Sequence, residues 1–354
     1  MDTAIKDVRS CQLYCCGIER YYVCTITLLH QSILVQLNIS GMVFSYLVLT
    51  MFTAECPTFV PLALAGGQGK STIALMLGRI IARLGIPVLF IDADPQASLT
   101  AFLGLEPSTD RPTLLEVITN PEKKIPPYSA IHPIPDEEKV FLIPATDQLE
   151  NANHFLAASA VSLTVLRQRL YQVGEDIKQE ERVARNFGLI IVDPPPERSH
   201  LALSSLGAGT CWAIPAEANV KGVQSLVRTL QLVKAYQGLL PQSRMLGTIP
   251  FRAKWVGLNP TKTTKESIEL MKNLVGESLM LSNLLESDVY KRAINEQVLP
   301  RDLGGNDLEQ PILELLLRLL PFFSPEVRAV IESEVGGQSE VVEPIETGAV
   351  GGDA

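Results

Sequence analysis

Residues 58–72 read TFVPLALAGGQGKST. An apolar, strand-like run over Thr58–Ala65 gives way to Gly66-Gly67-Gln68-Gly69-Lys70. A second pattern then begins at Ser71 and runs to Leu84, with Ile73, Leu77, Ile80, Ile81 and Leu84 on one helical face. Strand, glycine turn and helix, in that order, build a phosphate-binding loop. Glycines let successive backbone N–H groups turn inward, because no Cβ blocks the approach. The helix adds unpaired N–H groups and the positive end of its dipole. Lys70 would neutralise phosphate charge, the Ser71 hydroxyl would ligate Mg²⁺, and Thr72 could reach an α-phosphate. The stretch departs from G-x-x-x-x-G-K-[ST] at the first glycine, which is Leu64 here. Taken alone it could be a glycine turn that happens to precede Lys-Ser.

Two further stretches bear on that choice. Val88–Gln96 reads VLFIDADPQ, a buried-type strand ending in Asp92 and Asp94; Leu189–Pro195 reads LIIVDPP, another ending in Asp193. A strand ending in Asp is common and often only caps a turn. In an open parallel sheet, however, ligands sit beyond the carboxyl ends of the strands. Gly-Lys-Ser, Asp-x-Asp and Asp at three such ends would converge there. Mg²⁺ takes oxygen ligands and keeps several waters, which suits Ser71 with Asp92 and Asp193.

The rest of 58–335 alternates in the same way. Strands are predicted at Pro87–Ile91, Val140–Pro144, Leu189–Val192, Cys211–Ile214 and Met245–Ile249, and helices at Phe155–Gln172 and Gly222–Ala235. Helices at Ser267–Val275, Asp288–Gln297, Gln310–Leu320 and Pro325–Val335 close the domain. Such alternation predicts an α/β fold of the P-loop NTPase kind, a mostly parallel sheet with helices on both faces. The proline-rich stretch 106–138 reads as an irregular excursion.

The flanks differ. From Tyr21 to Ala54 there is no Asp, Glu, Lys or Arg, and Ile33–Phe52 is uncharged and mostly apolar. Residues 1–57 therefore read as an apolar extension. It is either a membrane segment, long enough to span as a helix, or a signal peptide lacking a clear cleavage site, or an upstream extension from a misassigned start near Met51. The composition favours the last. Gly336–Ala354 carries four acids, five glycines and no Lys or Arg, a solvated tail expected to be disordered.

With 30 Lys+Arg against 39 Asp+Glu, the formal charge of −9 excludes a whole-chain polycation. Six cysteines without a C-x-x-C pair give neither a disulfide scaffold nor a zinc pattern. The histidines, His30, His132, His154 and His200, show no ligand spacing. Against the acidic total, Ala218–Lys265 holds eight bases and no acid: Lys221, Arg228, Lys234, Arg244, Arg252, Lys254, Lys262 and Lys265. This segregation fits either solvated helix tips or a sequence-independent phosphate-binding surface.

AGGQGKST, LFIDADPQASLT and LIIVDPPP, in this order and spacing, resemble the ParA/MinD/Soj partition ATPases, whose Walker A motif is deviant. FLIPATDQLENA, AIPAE and GTIPFR extend the resemblance over roughly 58–300. It implies an ATPase of the ParA type that uses ATP and Mg²⁺. Gly66, Gly67, Gln68, Gly69, Lys70, Ser71 and Thr72 would hold phosphates; Ser71, Asp92 and Asp193 would serve the metal. Lys70, Asp94 and Asp92 would be catalytic, with Asp94 positioning the attacking water. Pro250, Phe251 and Arg252 would lie near the adenine. It also implies an ATP-dependent homodimer that binds DNA non-specifically through Lys221, Arg228, Lys234, Arg244, Lys254, Lys262 and Lys265 and answers to a ParB-like stimulating protein, in the cytoplasm on the nucleoid, in plasmid or chromosome partition. One position departs: the family's signature lysine is Ala65 here. That keeps a non-hydrolysing nucleotide-binding adaptor open. A MinD-like membrane switch is disfavoured, since the tail is acidic and glycine-rich instead of basic and amphipathic; only Ile33–Phe52 would supply an anchor.

Overall fold

The computed structural model describes residues 23–29, 32–39, 42–48 and 56–335, apart from 109, 120–124, 160–161, 172–182 and 241–242. The acidic tail and residues 1–22 lie outside the described residues. The chain divides into two units, Met1–Glu55 and Cys56–Ala354.

In the first unit, β1 (Val23–Leu29), β2 (Ser32–Ile39) and β3 (Met42–Val48) form an antiparallel meander in the order β1-β2-β3. Among the described residues of Ile33–Phe52 the backbone is strand, not the helical span considered above. β-branched and aromatic residues favour strands there, and Ser40-Gly41 separates two of them in sequence. Among the described residues no helix is long and apolar enough to cross a membrane.

The second unit is built on strands β4 (Thr58–Pro61), β5 (Val88–Asp92), β6 (His132–Pro133), β7 (Val140–Ile143), β8 (Leu189–Asp193), β9 (Cys211–Glu217) and β10 (Arg244–Phe251), with a short ribbon of β11 (Trp255–Val256) and β12 (Asn259–Pro260). The sheet order is β10-β9-β4-β8-β5-β7-β6. All its pairings are parallel except β6 on β7. The helices are α1 (Lys70–Arg83), α2 (Ser98–Phe102), α3 (Leu114–Thr119), α4 (Ala152–Ala158), α5 (Val165–Leu170), α6 (His200–Ala208), α7 (Val220–Tyr236), α8 (Lys262–Val275), α9 (Asp288–Asn295), α10 (Gln310–Leu319) and α11 (Pro325–Val335).

Strands buried on both faces explain the unbroken apolar runs LFI and LIIV. Alternate side chains feed two cores. Val88, Phe90, Leu189 and Ile191 pack with Ile73, Leu77 and Ile81 of α1 and Leu315, Leu316 and Leu319 of α10. Leu89, Ile91, Ile190 and Val192 pack on the other side with Leu156, Leu166, Leu206 and Leu226 from α4 to α7. Phe90 is wholly buried, worth about 1.5–3 kcal/mol relative to exposure. α1 approaches it through Gly78, where an added Cβ would stand 2.1 Å from the ring.

Three expectations shift. The single helix over Phe155–Gln172 is two, α4 and α5, because the chain turns extended at Ser159 (φ −84, ψ 128). The break brings the Leu163 carbonyl against Gly207 of α6, where an added Cβ would lie 1.7 Å away. The first strand leaves its ladder at Pro61, although the Leu62 N–H still donates to the Ala213 carbonyl at 2.9 Å. The excursion at 106–138 contains α3 and the short edge strand β6.

Candidate functional site

β4 feeds the glycine turn, while β5 and β8 lie side by side with Asp92 and Asp193 in register at their carboxyl ends. The strand order turns back beside β4, and such a reversal opens a crevice for ligand. Lys70, Ser71, Asp92, Asp94 and Asp193 are thus gathered at one end of the sheet, as their positions in sequence led us to expect.

The loop has the geometry of an anion cradle. Gly67 (φ 78) and Gly69 (φ 97) take left-handed backbone conformations that a side chain would strain. Among the described residues nothing stands within 4 Å of a Cβ added at Gly66 or Gly67, so the concavity there is open. Gly69 is instead crowded, with the Phe251 ring 2.6 Å from an added Cβ. Phe251, expected near the adenine, therefore buttresses the loop. Pro250 is buried beside it, and exposed Arg252 holds its guanidinium 5.4 Å from the Phe251 ring with φ 50. The Gln68 side chain is fully buried: its Oε1 accepts the Glu217 N–H at 2.8 Å and its Nε2 donates to the Gly66 carbonyl at 3.4 Å. Gln68 fastens the loop to the end of β9, so only its backbone is free to meet a phosphate. Thr72 is half-buried in the first turn of α1.

Lys70 is 6% exposed and lowers the Asp193 carboxyl electrostatically, yet burial dominates and holds that carboxyl at about 6. The Ser71 hydroxyl donates to Asp193 Oδ2 at 2.5 Å, while Asp193 Oδ1 is buried with no partner among the described residues. A buried carboxylate oxygen left unpaired is costly unless something fills the position. An all-oxygen pair, hydroxyl and carboxylate, fits a hard divalent cation that keeps water and phosphate in its shell. Among the described residues no three His, Cys, Asp or Glu side chains form an all-protein metal cage.

Asp92, expected beside the metal, is turned toward the next loop. Its Oδ2 accepts the Thr100 N–H (2.8 Å) and hydroxyl (2.7 Å), and its Oδ1 accepts the Asp94 N–H (3.2 Å). Burial, and then repulsion from Asp193, push its carboxyl up to about 7. Asp94 is 8% exposed and accepts the Gln96 N–H at 3.0 Å. The loop from Asp94 enters α2 through Ala97 in a left-handed conformation (φ 51). Thr100 was not singled out by sequence reasoning, although it ends the quoted LFIDADPQASLT. Thr229 was missed as well; its hydroxyl accepts the Leu64 N–H at 3.1 Å. Helix α7 gives no sequence signal for that contact.

The eight bases of 218–265 are all exposed but do not share one face. Lys221 lies in the first turn of α7, at the site end of the sheet. Lys234, in the last turn of α7, and Arg244, which starts β10, lie at the opposite end. Arg252, Lys254, Lys262 and Lys265 cluster around the β11–β12 ribbon and the start of α8. His200 opens α6, whose cap is Ser199, and does not join the carboxylates' hydrogen bonds.

The model of an AAA domain family matches residues 62–240. The chain is 40% identical over 255 residues to the maintenance of carboxysome distribution protein A of Gloeothece citriformis, covering 72% of this chain and 93% of that one. It is 34% identical over 187 residues to the chromosome-partitioning ATPase Soj of Thermus thermophilus, covering 52% and 64%. Among solved structures it resembles the ATP complex of a Cyanothece McdA variant, with TM-score 0.68 and 36% identity over 82% of this chain and 99% of that one.

Proposed function

The chain belongs to the ParA/MinD-like partition ATPases, and from that premise we propose that it is an ATP- and Mg²⁺-dependent switch that dimerises with ATP, binds DNA without sequence preference and distributes a cargo over it. The observation that carries this reading is the convergence of Lys70, Ser71 and Asp193 beside an open glycine cradle. Backbone N–H groups of Gly66–Lys70 and the start of α1 bind the phosphates, and Lys70 neutralises the charge that grows on them. Ser71 and Asp193 hold Mg²⁺, which when bound draws charge from the phosphate oxygens. Asp94 orients water for in-line attack, and Asp92 fixes the Asp94 loop through Thr100 and the Asp94 N–H.

The carboxysome-distribution relatives make a cargo of the carboxysome kind our first candidate, ahead of a plasmid or chromosome. The stimulating partner then takes the ParB-like role. Cytoplasmic, nucleoid-associated localisation follows from DNA binding. Ala65 removes one cation from the loop, so turnover without a partner is slow. Sedimentation of the full chain with ATP·Mg²⁺, ADP or no nucleotide tests the switch. A dimer only with ATP supports it, and a monomer in every state refutes it. Turnover that DNA and nucleotide leave at zero would favour the non-hydrolysing adaptor.

A further inference from the structure

The phosphate loop is tied at two points to β9 and α7. At its start the Leu64 N–H donates to the Thr229 hydroxyl of α7 at 3.1 Å, and that hydroxyl donates on to the Ser225 carbonyl at 2.8 Å. In its middle the Gln68 side chain accepts the Glu217 N–H at 2.8 Å, where β9 ends and the chain turns into α7. Gln68 and Thr229 are both wholly buried. Backbone N–H groups suffice to bind phosphate, so the loop needs no polar side chain at 68 for that purpose. An apolar side chain of like size would fill the same space but leave the Glu217 N–H unpaired, which a buried backbone donor rarely is.

The corner that Gln68 holds has no slack. The Ala218 N–H donates to the Phe251 carbonyl at 2.8 Å, and the Asn219 side chain caps α7 by accepting the Gly222 N–H at 2.9 Å. α7 starts so close to β9 that a Cβ added at Gly222 would stand 1.8 Å from the Glu217 carbonyl oxygen. The Phe251 ring in turn stands against Gly69 of the loop. Loop, β9 end, β10 end and first turn of α7 thus close a ring of contacts. The Glu217 peptide cannot shift without that turn, which displays exposed Val220 and Lys221. The longest of these hydrogen bonds runs from Gln68 Nε2 to the Gly66 carbonyl, at 3.4 Å. A usual N–H···O bond is about 3.0 Å, so this is where the ring yields. A phosphate that draws the Gly66 and Gly67 peptides inward works on this bond first, and Gln68 passes the displacement to Glu217.

We infer that Gln68 is a positioning residue that carries occupancy of the phosphate loop to the β9–α7 corner, so that a bound nucleoside phosphate fixes the first turn of α7 together with the loop. The inference rests on the nucleotide reading above and adds how that site is felt outside itself. The Gln68 side chain is spent on Glu217 and Gly66, and it acts through the Glu217 peptide. The link is one hydrogen bond long within a closed ring, so it needs no chain of intermediaries. Thr229 does not supply it. It holds Leu64, ahead of the glycines, to the middle of α7, where Ser225, Leu226 and Thr229 are already buried in the core.

Amide hydrogen exchange of the full chain without nucleotide, with ADP·Mg²⁺ and with ATP·Mg²⁺ tests this. Both nucleotides should slow exchange at 66–71 and also at 217–223. Gln68→Met should keep the slowing at 66–71 and lose it at 217–223. It should also weaken nucleotide binding about tenfold, the effect of one buried hydrogen bond, with kcat held within about twofold. Gln68→Glu retains an oxygen to accept the Glu217 N–H. It should keep the slowing at 217–223 even as its charge weakens nucleotide binding. Were Gln68 only a packing residue, both variants would exchange faster at 217–223 in every state and the nucleotide-dependent difference would survive; that result overturns the inference. Slowing at 66–71 but not at 217–223 in the unaltered chain overturns it too, and leaves nucleotide binding standing. Slowing at 217–223 with ATP alone marks a face covered by a second copy, and the inference fails. No slowing in either segment with either nucleotide refutes the nucleotide reading itself.

Discussion

Asp193 carries the most chemistry per atom. One oxygen receives the Ser71 hydroxyl and the other is buried and unpaired among the described residues. The sign of its pH behaviour follows from its environment. Asp193 at about 6 and Asp92 at about 7 both lie above the ordinary 3.8, chiefly through burial. The folded, ligand-free chain therefore binds protons that the unfolded chain has released. These groups favour the fold below the ordinary carboxylate range and lose that contribution as pH rises through 6 to 7. A cation needs the ionised form, so Mg²⁺ binding should release protons. Apparent Mg·ATP affinity measured by calorimetry should rise between about pH 5.5 and about pH 8; a flat profile would contradict this. Asp94→Ala should leave ATP binding intact and slow hydrolysis by about 10²–10⁴, measured as phosphate release. Unchanged turnover would reject its role. At this scale the sequence showed residue types and order well: Lys70, Ser71 and the three aspartates were all legible. It did not show where each oxygen points. Thr100 and the Gln68–Glu217 link are contacts across 8 and 149 residues, and nothing in local pattern encodes them.

Elements succeed or fail here through close approaches. Gly78 brings α1 onto the Phe90 ring, and Gly69 brings the loop onto Phe251. Gly78→Val should overpack the first contact and cost about 1–3 kcal/mol, read as a lowered midpoint in urea. A variant as stable as the parent would mean that α1 can move off the sheet freely. Strand and helix periodicity located most elements, because strands buried on both faces and helices with one apolar stripe have distinct patterns. The α4–α5 break escaped, since it exists to admit the Leu163 carbonyl beside Gly207, a tertiary contact. The short helices α2 and α3 escaped for want of length: 5 and 6 residues are too few to establish a period.

Over the whole molecule, every residue assigned to nucleotide comes from the unit Cys56–Ala354. Shortening the chain to 51–354 should leave ATP affinity and the melting midpoint of the second unit unchanged, by calorimetry. Loss of binding would give the N-terminal meander a part in the site. The sheet order was inferable only as a class, parallel with helices on both faces. The antiparallel edge strand β6 is 2 residues long and leaves almost no trace in sequence. Likewise the basic window looked like one surface in sequence and is divided by the length of α7, which carries the chain from one end of the sheet to the other.

The proposed switch requires that Lys70, Ser71 and Asp193 hold ATP with its magnesium at the carboxyl end of the sheet. Titrating ATP into the full chain with Mg²⁺ and with EDTA, beside Lys70→Ala, addresses it directly. Saturable binding that weakens sharply in EDTA and vanishes in Lys70→Ala is the expected result; binding that survives both changes undiminished would contradict it.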